Sequence, residues 1–291
     1  MLLASLLFAT MGVCIKLASA HFSSAELVFW RGLVGWVFMA AWARAVGVSL
    51  RTQVPWMHLW RSAVGVASLG AWFYAIAHLP LATAMTLNYM SSVWLAAFLV
   101  GGALVVRQQP GQGPMVLTVL AGFAGVVLML QPTIEQNQLF AGVVGLLSGM
   151  GAALAYMQVM ALSRAGEPEV RVVFYFALGT VAAGAAGMLV SGVAPAAHYL
   201  DWQAAGWLLP IGVLASVGQM CMTRAYASGA TLLVANLQYS GIVFGAIYSV
   251  LLFGDHIAPS GWFGMALIVV SGIAATALRA RAVPDAPAEE H

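Results

Sequence analysis

The chain has 291 residues, 62% hydrophobic and 7% charged, with a net charge of +2 and a mean hydropathy of +0.93. A soluble domain carries about 25% charged residues, so this chain has too little polar surface to face water, and its solvent is lipid. The small, scattered positive charge excludes a nucleic-acid binder, and nothing in the composition calls for a cofactor.

Polar, proline and charged breaks divide the chain into ten apolar runs near 2–20, 26–46, 58–78, 81–104, 114–131, 139–161, 170–191, 203–225, 230–253 and 260–279. Each approaches the roughly 20 residues that a helix needs to cross about 30 Å of hydrocarbon. The opening Met1-Leu2-Leu3-Ala4-Ser5 lacks a basic region and a cleavage site, so it reads as the first membrane helix rather than a cleaved signal. Cys14 and Cys221 sit inside apolar runs as small packed thiols. Connections 78–81 and 225–230 are short enough to make their helix pairs antiparallel neighbours, and the Pro-rich, acidic tail 282–291 reads as disordered.

Basic residues orient the spans. With the N-terminus in the cytoplasm, Arg44, Arg51, Arg61, Arg107, Arg164, Arg171, Arg224, Arg279 and Arg281 fall at cytoplasmic ends, and only Lys16 and Arg31 fall toward the other side. Glu26, Glu135, Asp201 and Asp255 fall at outer ends. Lys16, Glu26 and Arg31 read either as a pore-mouth cluster or as charges that neutralise one another and snorkel to water.

A shift of 148 residues superimposes spans three and four on spans eight and nine: Ala67, Ser68, Gly70, Ala82, Thr83, Asn88 and Ser92 meet Ala215, Ser216, Gly218, Ala230, Thr231, Asn236 and Ser240. An odd number of helices per copy turns the second copy upside down, so residues 1–132 and 138–281 read as two five-helix inverted repeats, an arrangement found in transporters.

Ten spans, two halves and a segment Ala82-Thr83-Ala84-Met85-Thr86-Leu87 after a tight turn resemble the drug/metabolite transporter superfamily, in particular its EamA-type exporters. Phe253-Gly254-Asp255 followed by Gly261–Gly272 is similar to that family's span-nine ending, with Asp255 in place of the usual Glu. Val106-Arg107 departs from the pattern in the first half, and the family's prolines in spans four and nine are absent, with Ser92 and Ser240 near those places. Within the family, the chain looks most like amino-acid exporters of the YddG type. The resemblance implies an all-α, ten-helix, multi-pass exporter of aromatic and other neutral amino acids in a bacterial inner membrane.

The candidate site comes from the polar groups inside the spans. Tyr74 and His78 end span three; Asn88, Tyr89, Ser92 and Trp94 lie on span four; Tyr156 and Gln158 on span six; Gln219 on span eight; and Asn236, Gln238 and Tyr239 on span nine. A mid-span amide facing lipid is costly, so these spans face one another or a water-filled cavity. Asn88 and Asn236 read either as cavity residues or as helix–helix hydrogen bonds, and the aromatic residues either as cavity walls or as packing. Gly145 and Gly149, like Gly241 and Gly245, read as close-packing or sliding surfaces.

No mid-span Asp or Glu offers a proton relay, which favours facilitated transport, with His78 as the remaining proton carrier. Enzyme motifs and metal-ligand spacings are missing. The expected partners are the bilayer and a small neutral, aromatic or apolar amino acid. The alternatives are a broad drug or metabolite exporter and, outside transport, a membrane scaffold or intramembrane enzyme. Monomer and homodimer stay open.

Overall fold

The structure is a computed structural model that describes residues 1–95, 97–98, 117, 120–125, 127–128, 138–191, 205–228, 234, 237–238 and 240–282. Among the described residues there are helices and turns and no strand. The helices are α1 (Leu2–Ala18), α2 (Ser24–Ala45), α3 (Pro55–His78), α4 (Leu81–Tyr89), α5 (Leu139–Arg164), α6 (Glu169–Ser191), α7 (Leu208–Ser228), α8 (Ser240–Phe253) and α9 (Pro259–Ala282). Half of the expected fifth span, the start of the ninth and residues 283–291 lie outside the described residues.

Four of these helices, α2, α5, α6 and α7, are long and apolar enough to cross a membrane, and α1, α8 and the first part of α9 are shorter apolar helices. Local sequence sets several ends. Ser23 and Glu26 close a capping box on α2, with the Ser23 N–H donating to Glu26 Oε2 at 2.8 Å. Pro55 opens α3, where its missing N–H costs nothing. Gly47 and Gly166, at φ 70° and 79°, let the chain leave α2 and α5 through the left-handed region. The expected continuous span 81–104 is interrupted instead by a turn at Met90, after which the chain is helical again from Ser91.

The soluble pattern of burial is reversed. Leu189, Val190 and Leu251 are 85%, 90% and 74% exposed, whereas Arg31, Arg61, Asn88, Gln219 and Gln238 are buried. Apolar side chains therefore face outward, as lipid requires, and polar groups satisfy one another inside.

The helices pack in a regular set of pairs. α2 lies against α6, and α4 against α8. α3 packs on α5 and α1 on α7; α2 touches α7 and α3 touches α6; α1 touches α8 and α4 touches α5. The glycines explain the tightest approaches. A Cβ added at Gly149 would lie 2.5 Å from the carbonyl of Leu87, and one at Gly245 would lie 2.6 Å from Met85 Sδ. The small-residue pairs of α5 and α8 thus pack closely against α4 and hold it between them.

Candidate functional site

α3 builds the wall of a central cavity. Arg61, Gly65, Ser68, Leu69 and Trp72 all line it, and their spacing places them on one helical face. They occupy about 16 Å of a helix about 36 Å long, and about 9 Å of helix remains at each end. α1 contributes Phe8 and Met11, α2 Arg31, α4 Asn88 and Tyr89, α5 Tyr156, α6 Phe176, and α7 Gln219 and Met222. Its volume is about 70 Å³, room for about five waters, so a larger guest needs the helices to part. A bigger groove of about 530 Å³ between α2, α3 and α6 is lined mainly by small and apolar side chains such as Val28, Val66 and Ala182, and carries no charge.

Two arginines dominate the cavity. The guanidinium carbons of Arg31 and Arg61 lie 5.0 and 4.1 Å from the centroid of the Phe176 ring, so one aromatic ring holds both cations. Arg31 is 4% and Arg61 3% exposed. Arg31 Nε and Arg61 Nε and Nη1 are buried without an acceptor among the described residues. Gly65 makes room for the Arg61 guanidinium, which occupies the place a Cβ would take there. Both positions correct the sequence expectation. Arg61 is not a loop-end charge, and Arg31 belongs to no outer cluster. Glu26 is engaged in the α2 cap, and Lys16 Nζ donates to the Leu79 carbonyl at 2.7 Å. The i, i+4, i+7, i+11 pattern of Arg61, Gly65, Ser68 and Trp72 is the sequence signal that points inward.

The expected site residues divide. Asn88, Tyr89, Tyr156 and Gln219 line the cavity. Asn88 also binds two helices together, because its Nδ2 donates to Ser148 Oγ at 3.0 Å. Gln238 lies just beyond the lining as a hub: its Nε2 donates to Tyr156 Oη at 3.0 Å and to Ser91 Oγ at 3.4 Å, and its Oε1 accepts from Tyr226 Oη at 2.8 Å. Tyr74 and His78 stack on each other at 4.0 Å near the far end of α3, where His78 is exposed and its Nδ1 donates to the Tyr74 carbonyl. Ser92, Trp94 and Gln158 are half-buried and do not line the cavity; Trp94 stacks on Phe98. Asn236 and Tyr239 lie outside the described residues.

Contacts join the two halves of the chain at both ends. At one, the 46–54 connection meets the 165–168 connection through Glu167, which accepts from Thr52 Oγ1 at 2.9 Å and Arg171 Nη1 at 3.2 Å and pairs with His58 Nε2 at 2.9 Å. Arg171 also donates to the Ser49 carbonyl, and Tyr175 to that of Leu50. At the other end, the Ala82 N–H donates to Ser249 Oγ at 3.3 Å, and Ser249 Oγ donates to Asp255 at 2.6 Å.

Burial would raise the Glu167 pKa. The hydrogen bonds from His58, Thr52 and Arg171, with the Arg171 charge, outweigh it and hold the carboxyl below its ordinary 4.5. A depressed carboxylate stabilises the fold above its unfolded pKa, and that contribution is lost as pH falls through the lower folded value. Glu167→Gln is therefore expected to lower the melting temperature at pH 7 by an amount equivalent to about 1–3 kcal/mol. The wild type should converge on the variant as pH drops below 4.5. Melting curves of both proteins between pH 7 and 3 check this, and a variant deficit that persists unchanged at pH 3 would contradict it.

An all-helical bundle with apolar outer faces and polar groups gathered around a central cavity is the architecture of a polytopic membrane protein. A model of the EamA-like transporter family matches residues 1–131. The chain is 34% identical to the pseudopaline exporter CntI of Pseudomonas aeruginosa over 94% of its own length and 93% of that protein's. It is 27% identical to a riboflavin transporter of Vibrio cholerae over 93% and 89%. It is also 26% identical to an uncharacterized transporter of Helicobacter pylori over 94% and 91%. A solved crystal structure, 21% identical, superimposes over 96% of both chains with a TM-score of 0.66, which shows a shared fold. The chain belongs to the EamA-like transporter family. The named functions of the Pseudomonas and Vibrio relatives are transport, and neither name is that of an amino-acid exporter.

Proposed function

We propose that this protein is a ten-helix exporter of the bacterial inner membrane with both termini in the cytoplasm. It moves small amino-acid-like metabolites outward by alternating access through the central cavity. The carrying observation is the chamber itself, placed at the middle of α3, lined from both halves of the chain and flanked at each end by contacts that join them.

The packing supports two oppositely inserted halves, 1–132 and 138–281. Exchanging α1 with α5, α2 with α6, α3 with α7 and α4 with α8 maps the helix pairs onto one another: α3–α5 becomes α7–α1, while α2–α6 and α4–α8 map onto themselves. The match of the family to residues 1–131 agrees with the first half. The connections 46–54 and 165–168 share one end of the molecule, as the distribution of basic residues requires of two cytoplasmic loops.

Trp72, Tyr89 and Phe176 suit an aromatic or apolar body, such as that of a neutral amino acid. The relatives' named cargoes, pseudopaline and riboflavin, differ, so the lining rather than the fold selects the substrate; they also favour a second reading in which a broader range of metabolites is carried. Among the described residues no carboxylate lines the chamber, which supports a facilitative cycle over an Asp/Glu proton relay.

In proteoliposomes, labelled phenylalanine or another amino-acid-like cargo should equilibrate faster than into empty liposomes, at a rate unchanged by a pH gradient. No flux for any cargo tested would sink the transport reading, and flux that requires the gradient would sink the facilitative one.

A further inference from the structure

We propose that the Arg31–Arg61 pair is an anion site, and that the cargo is a small molecule with an aromatic or apolar body and two carboxylates. The inference deepens the reading of the chamber as the transport site and rests on it.

Charge balance carries the argument. Two buried guanidinium groups share the Phe176 ring, and among the described residues no acidic side chain lines the chamber. A buried cation is retained only when it is paired or functional. Here the aromatic ring offers each cation its electron-rich face and no hydrogen-bond acceptor. The surplus is of donors: Arg31 Nε, Arg61 Nε and Nη1, and the indole N–H of Trp72, which lines the same chamber, all lack acceptors among the described residues. The other polar groups are already used in part. Asn88 and Ser68 donate to Ser148, and Tyr156 accepts from Gln238. The complement of such a site is rich in acceptors and negatively charged. Guanidinium forks grip carboxylates through two parallel hydrogen bonds. A neutral zwitterion brings one carboxylate together with an ammonium that both arginines repel, so it leaves the chamber positive. Two carboxylates neutralise it. Trp72, Tyr89 and Phe176 make a carboxylate with an apolar body a better fit than a bare inorganic ion.

The test uses probes that share a phenyl body and differ in charge: phenylsuccinate, phenylalanine and phenethylamine, with inorganic phosphate as a bare anion. Binding to the purified full-length protein is measured by calorimetry in detergent, and flux of each is measured in proteoliposomes. Phenylsuccinate should bind at least tenfold more tightly than phenylalanine, and phenethylamine should not bind. Arg31→Lys and Arg61→Lys keep the charge and lose the fork; each should weaken phenylsuccinate roughly tenfold to a hundredfold. Arg31→Met and Arg61→Met remove an unpaired buried cation, so each should melt no lower than wild type while losing the phenylsuccinate response. Equal binding of phenylalanine or phenethylamine, unchanged affinity in both lysine variants, or phosphate binding as tight as phenylsuccinate would overturn the proposal. Flux that ignores both arginines overturns this inference alone. Arginine-dependent binding with no flux of any probe upholds the anion site and overturns the transporter reading instead.

Discussion

Gly184→Leu is expected to abolish recovery of folded, monodisperse protein. The α2–α6 contact joins the two halves, and it is closed by glycines from opposite sides. A Cβ at Gly184 would lie 2.5 Å from both the backbone N and the Cα of Phe29, and a Cβ at Gly32 would lie 2.7 Å from the backbone N of Val181. The obstructing atoms are main chain, so no rotamer change relieves the clash, and the helices themselves must separate. Membrane helices associate through such close packing rather than through a hydrophobic force between them. One added methyl group in a filled interface costs about 1–3 kcal/mol, which makes Gly184→Ala a destabilised but recoverable protein. A leucine forces the whole crossing apart. Gly70 supplies the control, because a Cβ there meets nothing within 4 Å; Gly70→Ala should melt at or above the wild-type temperature, since it only removes backbone freedom from a helix. Size-exclusion profiles and melting curves read all three. A normal profile and melting point for Gly184→Leu would show that the crossing tolerates separation.

Gln238→Leu is the second large effect expected. It leaves Tyr226 without the acceptor at 2.8 Å and Tyr156 without the donor at 3.0 Å. The two rings remain stacked at 5.5 Å, with each hydroxyl short of its Gln238 partner. Each buried polar group orphaned in this way costs about 1–3 kcal/mol. Tyr156 also lines the chamber, so transport should fall by more than the loss of folded protein explains. The contribution of the network is isolated by a cycle. In a Tyr156→Phe, Tyr226→Phe background the same leucine substitution should cost much less, because no hydroxyl is left unpaired. Equal costs in both backgrounds would mean that Gln238 acts through packing alone.

Much of the architecture was legible in the sequence because lipid imposes it. Lengths of apolar runs follow from bilayer thickness, and the helix ends at Ser23–Glu26, Pro55 and Gly166 follow from local backbone chemistry. The repeat singled out span four, and Asn88 and Tyr89 do line the chamber. The reading failed where a side chain's reach mattered more than its position. Arg61 stands six residues after Pro55 and counts as a loop-end charge, yet its guanidinium lies on Phe176 of another helix. Arg31 was grouped with Glu26 by proximity in sequence, while the fold turns it toward the same ring. Tyr74 and His78 were grouped with the cavity by composition, but their place on α3 carries them to its end.

The sequence by itself determined that this chain lives in lipid, roughly where it crosses, and which family it resembles, because hydropathy and charge act on each segment independently of the others. Only the tertiary structure decided which side chains meet in the interior. Helix rotation and glycine-set approach distances determine which polar side chains share a chamber. Those quantities brought two arginines that are distant in sequence to one aromatic ring, Phe176, with no acidic partner among the described residues.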